Sequence, residues 1–135
     1  MVHGKWPEFR NVVDAPLQKD PAGGSERIVR VLESGKPSLT RFAVKQHFEG
    51  ASLIEAMPQT GRTHQIRVHC QHSGHGIVGD DKYTFKASNS SLLKVKNLCL
   101  HAWKIEFELP ERAAPIRVEA PIPNHLDYLI QKLGK

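Results

Sequence analysis

The segment GRTHQIRVH at residues 61–69 constrains the fold more than any other stretch of this sequence. Its pattern predicts a helix that begins with Thr63 as the N-cap and ends near Ser73. Arg67 then lies on the apolar face of that helix, since each residue turns the chain by about 100°. A buried arginine is costly to desolvate unless an anion meets it. Spacing alone favours an Arg67 stem that packs on the core with its head in water. The alternative is a guanidinium that faces inward and binds a catalytic carboxylate or a phosphate.

Residues 74–83, GHGIVGDDKY, follow this helix as a loop punctuated by glycine and aspartate. Gly74 is predicted to stop the helix in the left-handed conformation, which glycine adopts without steric conflict. Asp80 and Asp81 are interpreted as turn residues that accept hydrogen bonds from backbone N–H groups, and a catalytic pair is the less favoured alternative. No GxGxxG or Walker-type motif occurs, so a nucleotide-binding loop is not indicated.

Composition narrows the class of protein. The 135 residues are long enough for one core, and 39% hydrophobic with 24% charged residues is ordinary for a globular protein. No apolar run approaches the roughly 20 residues that a membrane helix needs. The net charge of +5 favours a polyanionic partner such as nucleic acid, although charge alone is a weak indication. Cys70 and Cys99 form no CxxC pattern and are interpreted as reduced thiols of a cytoplasmic protein.

Hydrophobic periodicity predicts an α+β fold with a mixed, mainly antiparallel sheet and a few helices. Residues 39–48 alternate as a half-buried strand, and residues 51–57 return as its partner after a turn at 49–50. Shorter strands are predicted within residues 9–14 and 28–32, because both runs contain β-branched residues.

The last third of the chain predicts a second hairpin and a helix. Residues 98–109 alternate most clearly, which places Trp103 in the core, and residues 115–120 are expected to pair with them. Asn124 is predicted to cap a final amphipathic helix. Loops are predicted at residues 20–25 and 87–91 from their glycine, proline and polar content.

Histidines are concentrated around the predicted helix, at His64, His69, His72 and His75. His69 and His72 would share one helical face. A metal site is nevertheless disfavoured, because HExxH is absent and no second cysteine lies near enough for structural zinc. We therefore expect no metal and interpret these histidines as surface groups or nucleic-acid contacts.

Several motifs together resemble the RluA-type RNA pseudouridine synthases. They are GRTHQIRVH at 61–69, GHGIVGDDKY at 74–83, LCLHA at 98–102, HGKWP at 3–7 and GKPSLTRF at 35–42. The resemblance covers essentially the whole chain and implies the fold of the synthase catalytic domain. It also implies isomerisation of specific uridines in 23S ribosomal RNA, in the cytoplasm and without a metal or an organic cofactor.

The same resemblance implies roles for individual residues. The matching arginine of the family pairs with a nucleophilic aspartate, so Arg67 is the expected catalytic residue. An arginine in contact favours the charged carboxylate against the burial that would protonate it. Leu100 is expected beneath the uracil. Arg62, His64 and Gln65 are expected to shape the rim of the pocket or to contact RNA.

The sequence departs from the family pattern in one large respect. The family's nucleophile lies in an HRLD-type motif and its pocket tyrosine in a KxY segment, and neither motif occurs in this chain. Tyr83 belongs to the GDDKY loop and does not replace that tyrosine. We therefore expect residues 1–135 to form a single partial domain, the C-terminal portion of the catalytic domain, which is inactive alone. The Arg67 guanidinium would then face an aspartate that this chain does not contain.

Two other functions stay open from the sequence. The chain could be a non-catalytic RNA-binding module, or a basic structural domain whose affinity for RNA is negligible even at low salt. A sheet without its preceding strands would also expose an unpaired edge, so self-association through that edge is expected.

Overall fold

The computed structural model describes residues 1–20, 28–84 and 91–135. It divides into two compact units, Met1–Cys99 and Leu100–Lys135. The loops predicted at residues 20–25 and 87–91 lie, apart from Asp20 and Ser91, outside the described residues. A single partial domain over residues 1–135 stays a prediction.

The first unit is built on a four-stranded antiparallel sheet. Its elements are β1 (Val2–His3), β2 (Val12–Asp14), β3 (Leu17–Lys19), β4 (Val29–Val31), β5 (Leu39–Phe48), β6 (Ala51–Pro58), α1 (Gln65–His72) and a 3₁₀ turn (Ser91–Lys94). The strand order in the sheet is β1-β6-β5-β2, while β3 and β4 form a separate hairpin. The predicted hairpin of β5 and β6 is confirmed, with one bulge between Val44 and Gln46. Strand β3 was not predicted, because three residues are too short to show a period.

The core of this unit contains an aromatic pair and a second, mainly aliphatic cluster that includes one tyrosine. Trp6 is 1% exposed and lies against Phe42, with ring centroids 4.7 Å apart. A second cluster joins the β3–β4 hairpin to α1 and consists of Leu17, Val29, Val68 and Tyr83. Burying a large apolar side chain stabilises a fold by about 1.5–3 kcal/mol, so this cluster fixes α1 firmly against the hairpin.

Helix α1 begins later than the sequence predicts. Its N-cap is His64, in the left-handed conformation at φ 53°, and no side chain caps the helix. The prediction of Thr63 as the cap is therefore wrong. The loop before the helix is instead held by the Gln65 side chain, whose Oε1 accepts a hydrogen bond from the Arg62 backbone N–H at 3.0 Å. Gly74 has φ +83° and follows the helix as the predicted left-handed stop.

The second unit contains β7 (Lys104–Phe107), which pairs with β8 (Ile116–Glu119), and α2 (Asn124–Leu133). Strand β7 is much shorter than the predicted 98–109. Trp103 is partly exposed and donates its indole N–H to Glu119 at 3.1 Å, so its expected place in the core is wrong. Pro123, rather than Asn124, is the N-cap of α2, and its fixed backbone sets the start of the helix without a side-chain bond.

The predicted α+β class with a mainly antiparallel sheet is confirmed. The expectation of a mixed sheet is wrong for the described part of the chain, where every strand pairing is antiparallel. In the same residues, no helix is both long and apolar enough to cross a membrane.

Candidate active site

The centre of the candidate site is an ion pair between α1 and the glycine-rich loop that follows it. Nε of Arg67 lies 2.8 Å from Oδ2 of Asp80, and Nη2 lies 2.7 Å from Oδ1. The Asp80 side chain is 0% exposed and that of Arg67 is 17% exposed. The planar guanidinium matches both carboxylate oxygens at once, which fixes its orientation as well as its position.

The loop around Asp80 is shaped to present the carboxylate. Oδ1 of Asp80 also accepts hydrogen bonds from the backbone N–H groups of Lys82 at 3.0 Å and Tyr83 at 3.1 Å. Gly79 has φ +77°, and a side chain there would collide with the carbonyl oxygen of Asn97. The interpretation of Asp80 as a turn residue that satisfies backbone donors is therefore confirmed, but it omits the bond to Arg67.

The charges of this pair are mutually stabilised. Burial alone would raise the pKa of the Asp80 carboxyl, but the hydrogen bonds from Arg67 and the backbone outweigh it, and the pKa lies below its ordinary value. The hydrogen bond to Asp80 likewise raises the pKa of Arg67. Both groups are therefore charged at neutral pH.

Tyr83 ties the ion pair to the start of α1 and to β4. Its ring centroid lies 5.1 Å from the central guanidinium carbon of Arg67, within the range of a cation–π contact. Its hydroxyl oxygen accepts a hydrogen bond from the Val29 backbone N–H at 3.0 Å and lies 2.8 Å from Nδ1 of His64. The hydroxyl and Nδ1 of His64 share a hydrogen bond whose donor is set by the tautomer of the histidine. This bond helps to hold His64 in its strained left-handed backbone conformation.

The Arg67 guanidinium thus faces inward, which agrees with the role that the resemblance implies and not with the head in water that spacing alone favours. The expectation that it would find no acidic partner within this chain is wrong, since the loop returns Asp80 to it. A guanidinium carries five N–H donors. The bridge to Asp80 uses Nε and one hydrogen of Nη2, and no described residue accepts a hydrogen bond from Nη1. Pairing of Arg67 with a nucleophilic aspartate stays a prediction.

The Gln65 side chain forms its hydrogen bonds within the protein. It is 3% exposed. Its Nε2 donates to the Leu39 carbonyl and to the Thr40 hydroxyl, both at 3.0 Å, while Oε1 accepts from the Thr60 hydroxyl and the Arg62 backbone. All of its hydrogen-bonding capacity is therefore used internally. Direct contact with RNA is not supported for Gln65, whereas shaping the loop beside the pocket is consistent with these bonds.

Arg62 and Leu100 are both exposed to solvent. Nε of Arg62 donates to the Pro37 carbonyl at 3.1 Å, which anchors the side chain near its middle. Leu100 is 38% exposed and belongs to the second unit. Its place beneath a uracil stays a prediction.

His69 is fully buried, at 0% exposure, so its interpretation as a surface or nucleic-acid-binding histidine is wrong. Its Nε2 lies 2.9 Å from the Ala15 carbonyl and its Nδ1 2.8 Å from the Thr40 hydroxyl. A carbonyl only accepts, so Nε2 carries the hydrogen and Nδ1 accepts from Thr40.

Within the described ranges, no group of three histidine, cysteine or acidic side chains is arranged to hold a metal ion. Cys70 and Cys99 are free and buried, and burial raises the pKa of Cys70 to about 12.

The fold is that of known RNA pseudouridylate synthase domains. Human RNA pseudouridylate synthase domain containing 1 matches 98% of this chain and 62% of its own chain, with a TM-score of 0.71 and 26% identity. Human RNA pseudouridylate synthase domain containing 4 has a TM-score of 0.72 at 22% identity, which is a likeness of fold alone. Residues 8–72 match the family model described as RNA pseudouridylate synthase.

Curated relatives extend this match over nearly the whole chain. Ribosomal large subunit pseudouridine synthase C of Haemophilus ducreyi is 45% identical over 98% of this chain, and the protein of that name from Escherichia coli strain K12 is 42% identical over 98%. These matches confirm the resemblance to RNA pseudouridine synthases that is found in the motifs of the chain. The chain spans 42% of the length of the Haemophilus relative and 43% of the Escherichia relative.

Sequence reasoning missed two residues of the site, Asp80 as the partner of Arg67 and Tyr83 as the platform beneath it. A signal for the first was present. An inward arginine in a short helix needs an anion, and an aspartate between Gly79 and the next turn is the first acidic side chain after the helix ends. No local pattern indicates that the Tyr83 ring lies against the guanidinium.

Proposed function

We propose that this chain supplies the arginine-bearing part of an active site that isomerises specific uridines to pseudouridine in the 23S RNA of the ribosomal large subunit. The proposal rests on one observation above all. Arg67 is fixed by Asp80 and Tyr83, while Nη1 makes no hydrogen bond to any described residue. A second carboxylate, from an aspartate in an HRLD-type motif that these 135 residues lack, would bind there.

Each group then has a definite part in the chemistry. The uridine is flipped out of the RNA, and the nucleophilic carboxylate acts covalently while the base detaches, rotates and rejoins through carbon. Arg67 keeps that carboxylate ionised in a pocket whose low polarity would otherwise protonate it. Asp80 offsets part of the positive charge and prevents the guanidinium from turning toward solvent. Leu100 would lie under the uracil, and Arg62 and His64 would line the rim. The enzyme would be cytoplasmic and need no cofactor.

A further β-strand would pair with the unpaired edge of β6. Strand β1 pairs with β6 only at Ala51 and Ser52, so residues 53–58 of β6 have β5 on one side and no strand among the described residues on the other. Unpaired edges accept strands. Self-association of this chain through that edge is the corresponding prediction, and sedimentation equilibrium tests it: a monomer at every accessible concentration would contradict it.

The alternative is a non-catalytic RNA-binding module, which the net charge of +5 would also suit. One experiment separates the two. The corresponding region of the Haemophilus ducreyi relative is replaced by this chain, and pseudouridine formation is measured by tritium release from uridine-labelled RNA. We expect turnover by the chimera and none by the 135-residue chain alone. RNA binding by an inactive chimera with an intact fold would favour the module.

A further inference from the structure

A groove with a volume of about 500 Å³ opens on the first unit. Its walls are β3, residues 34–36 and residues 61–63. A volume of this size lies within the range of roughly 300–1,000 Å³ that ligand sites occupy. Neither Arg67 nor Asp80 lines it, whereas Arg62, which is proposed for the rim of the uracil pocket, does.

Three cations line this groove, one from each wall: Lys19, Lys36 and Arg62. All three are exposed, and the described lining residues include no aspartate or glutamate. Within the described part of the chain, none of the three forms a salt bridge. Asp20, which follows Lys19, is itself paired with Arg30 at 2.8 Å. These three side chains therefore offer uncompensated positive charge to a ligand. The groove that they line is called the basic groove below.

The walls of the basic groove are held in place by the backbone. Leu17 and Lys36 exchange two hydrogen bonds, at 2.9 and 2.8 Å. Gly35 allows this contact, because a side chain there would lie within 2.8 Å of the Leu17 backbone. On the opposite side, the bond from Nε of Arg62 to the Pro37 carbonyl fixes the third cation and leaves its terminal nitrogens for a ligand. A rigid wall reduces the entropy lost when a ligand binds.

We propose that the basic groove binds the sugar–phosphate backbone of the RNA strand that carries the target uridine; this rests on the proposed function. A groove open to solvent with cations on separate walls suits phosphates spaced along a strand better than a single small anion. Arginine binds a phosphate oxygen pair through its planar fork, and lysine acts as a point charge. Arg62 also lies directly before the segment that Gln65 locks to the sheet, so a strand bound there is positioned relative to α1.

The salt dependence of RNA binding tests this proposal. A fluorescent 20-nucleotide single-stranded RNA containing uridine is titrated with the full 135-residue chain between 50 and 300 mM salt. Lys19→Ala with Lys36→Ala is compared with Lys5→Ala with Lys132→Ala, which removes the same charge from exposed positions outside the groove. Each phosphate contact on a single strand contributes about 0.7 to the slope of log K against log salt. We expect the groove variant to lose roughly 1.4 from that slope and to bind about tenfold more weakly at 100 mM salt.

Controls separate a lost contact from a lost fold. Lys19→Arg with Lys36→Arg keeps the charge and should retain the slope of the wild type, and the urea midpoints of all variants should agree. Equal slopes for the groove variant and its charge-matched control would overturn the proposal that the basic groove binds RNA. The proposed function would not be affected, because it is tested by the turnover of the chimera. A wild-type chain that binds no RNA at 50 mM salt would overturn the groove as well. An inactive chimera with a normal groove effect would count against the proposed function alone.

Discussion

Arg67 and Asp80 form a two-point bridge, at 2.8 and 2.7 Å, between the first turn of α1 and the loop that follows the helix. The carboxylate has no exposed side-chain surface, and its Oδ1 also accepts from the backbone of its own turn. The position of the cation is therefore set by a loop whose shape depends on Gly79. Through this relationship, a short helix gains a fixed charge that faces inward.

Removing the charge of Asp80 should destabilise the fold strongly. Asp80→Asn keeps an oxygen for the backbone donors but leaves the Arg67 guanidinium without its anion, and breaking a buried pair in this way costs about 3 kcal/mol or more. Asp81→Asn is the matched control, since the Asp81 side chain is 98% exposed and 3.9 Å from Nη2. Its effect should stay below about 0.5 kcal/mol. Urea unfolding measures both, and equal midpoints would show that the bridge adds little.

Removing the Tyr83 hydroxyl should leave a buried donor without a partner. Tyr83→Phe deprives the Val29 backbone N–H of its acceptor and frees Nδ1 of His64, while the ring beneath Arg67 is kept. An unsatisfied buried group costs roughly 1–3 kcal/mol. Tyr128→Phe, at a tyrosine that is 67% exposed, should change the free energy of unfolding by less than about 0.5 kcal/mol. Thermal unfolding that ranks the two variants equally would contradict this interpretation.

Two glycines with positive φ should differ sharply in their tolerance of alanine. Gly74, at φ +83°, has no neighbouring atom within 4 Å of the position that a Cβ would occupy, so Gly74→Ala should cost only about 1 kcal/mol of backbone strain. At Gly79 the same strain is joined by a collision with the Asn97 carbonyl, and Gly79→Ala should cost roughly 3 kcal/mol or prevent folding. Urea midpoints and far-UV circular dichroism compare them. Similar losses in both variants would mean that the loop moves freely away from Asn97.

His69 should make the fold sensitive to mild acid. Burial lowers its pKa, with the nearby His72 acting in the same direction and the Ala15 carbonyl and Asp14 opposing. The unfolded chain, with an ordinary histidine pKa of about 6.5, then takes up the proton first. Stability is therefore complete above that value and falls as the pH drops from about 6.5 toward the lower pKa of the folded state.

The variant His69→Gln should show a flatter decline of unfolding free energy between pH 7.5 and pH 5. Burial also lowers the pKa of His3 and of the Met1 amino group, so only the difference between variant and wild type reports on His69. That difference should approach, and not exceed, about 1.4 kcal/mol per pH unit. His125→Gln, at an exposed position on α2, should leave the slope unchanged. Parallel curves for His69→Gln and the wild type would show that the buried ring does not govern the response.

Local patterns predicted the elements whose signals lie within a few residues. The β5–β6 hairpin follows from alternation on both sides of a Glu-Gly turn, and Gly74 marks the end of α1 because only glycine enters that conformation easily. The predictions failed for elements whose existence or bounds depend on contacts between residues far apart in the sequence. Strand β3 exists because Leu17 pairs with both β4 and Lys36, and α1 starts at Gln65 because that side chain bonds to the sheet.

The candidate site shows the same division. Helical spacing placed Arg67 on the apolar face of α1, but only the resemblance carried by the motifs indicated that its guanidinium faces inward. The spacing could not show that Asp80 reaches the guanidinium, since the two are joined across a loop whose path depends on Gly79. The burial of His69 was also missed, because its hydrogen-bond partners, the Ala15 carbonyl and the Thr40 hydroxyl, belong to other strands and loops.

The most direct test of the central claim is the turnover of the chimera with the Haemophilus ducreyi relative when Arg67 is changed to lysine. Lysine keeps the charge but cannot hold Asp80 and a second carboxylate at fixed angles. We predict that Arg67→Lys lowers kcat by about 100-fold, the equivalent of roughly 2.7 kcal/mol, with little change in RNA affinity. Arg41→Lys, at an exposed position on β5, should leave kcat within about twofold. Full turnover by the Arg67→Lys chimera would contradict the account.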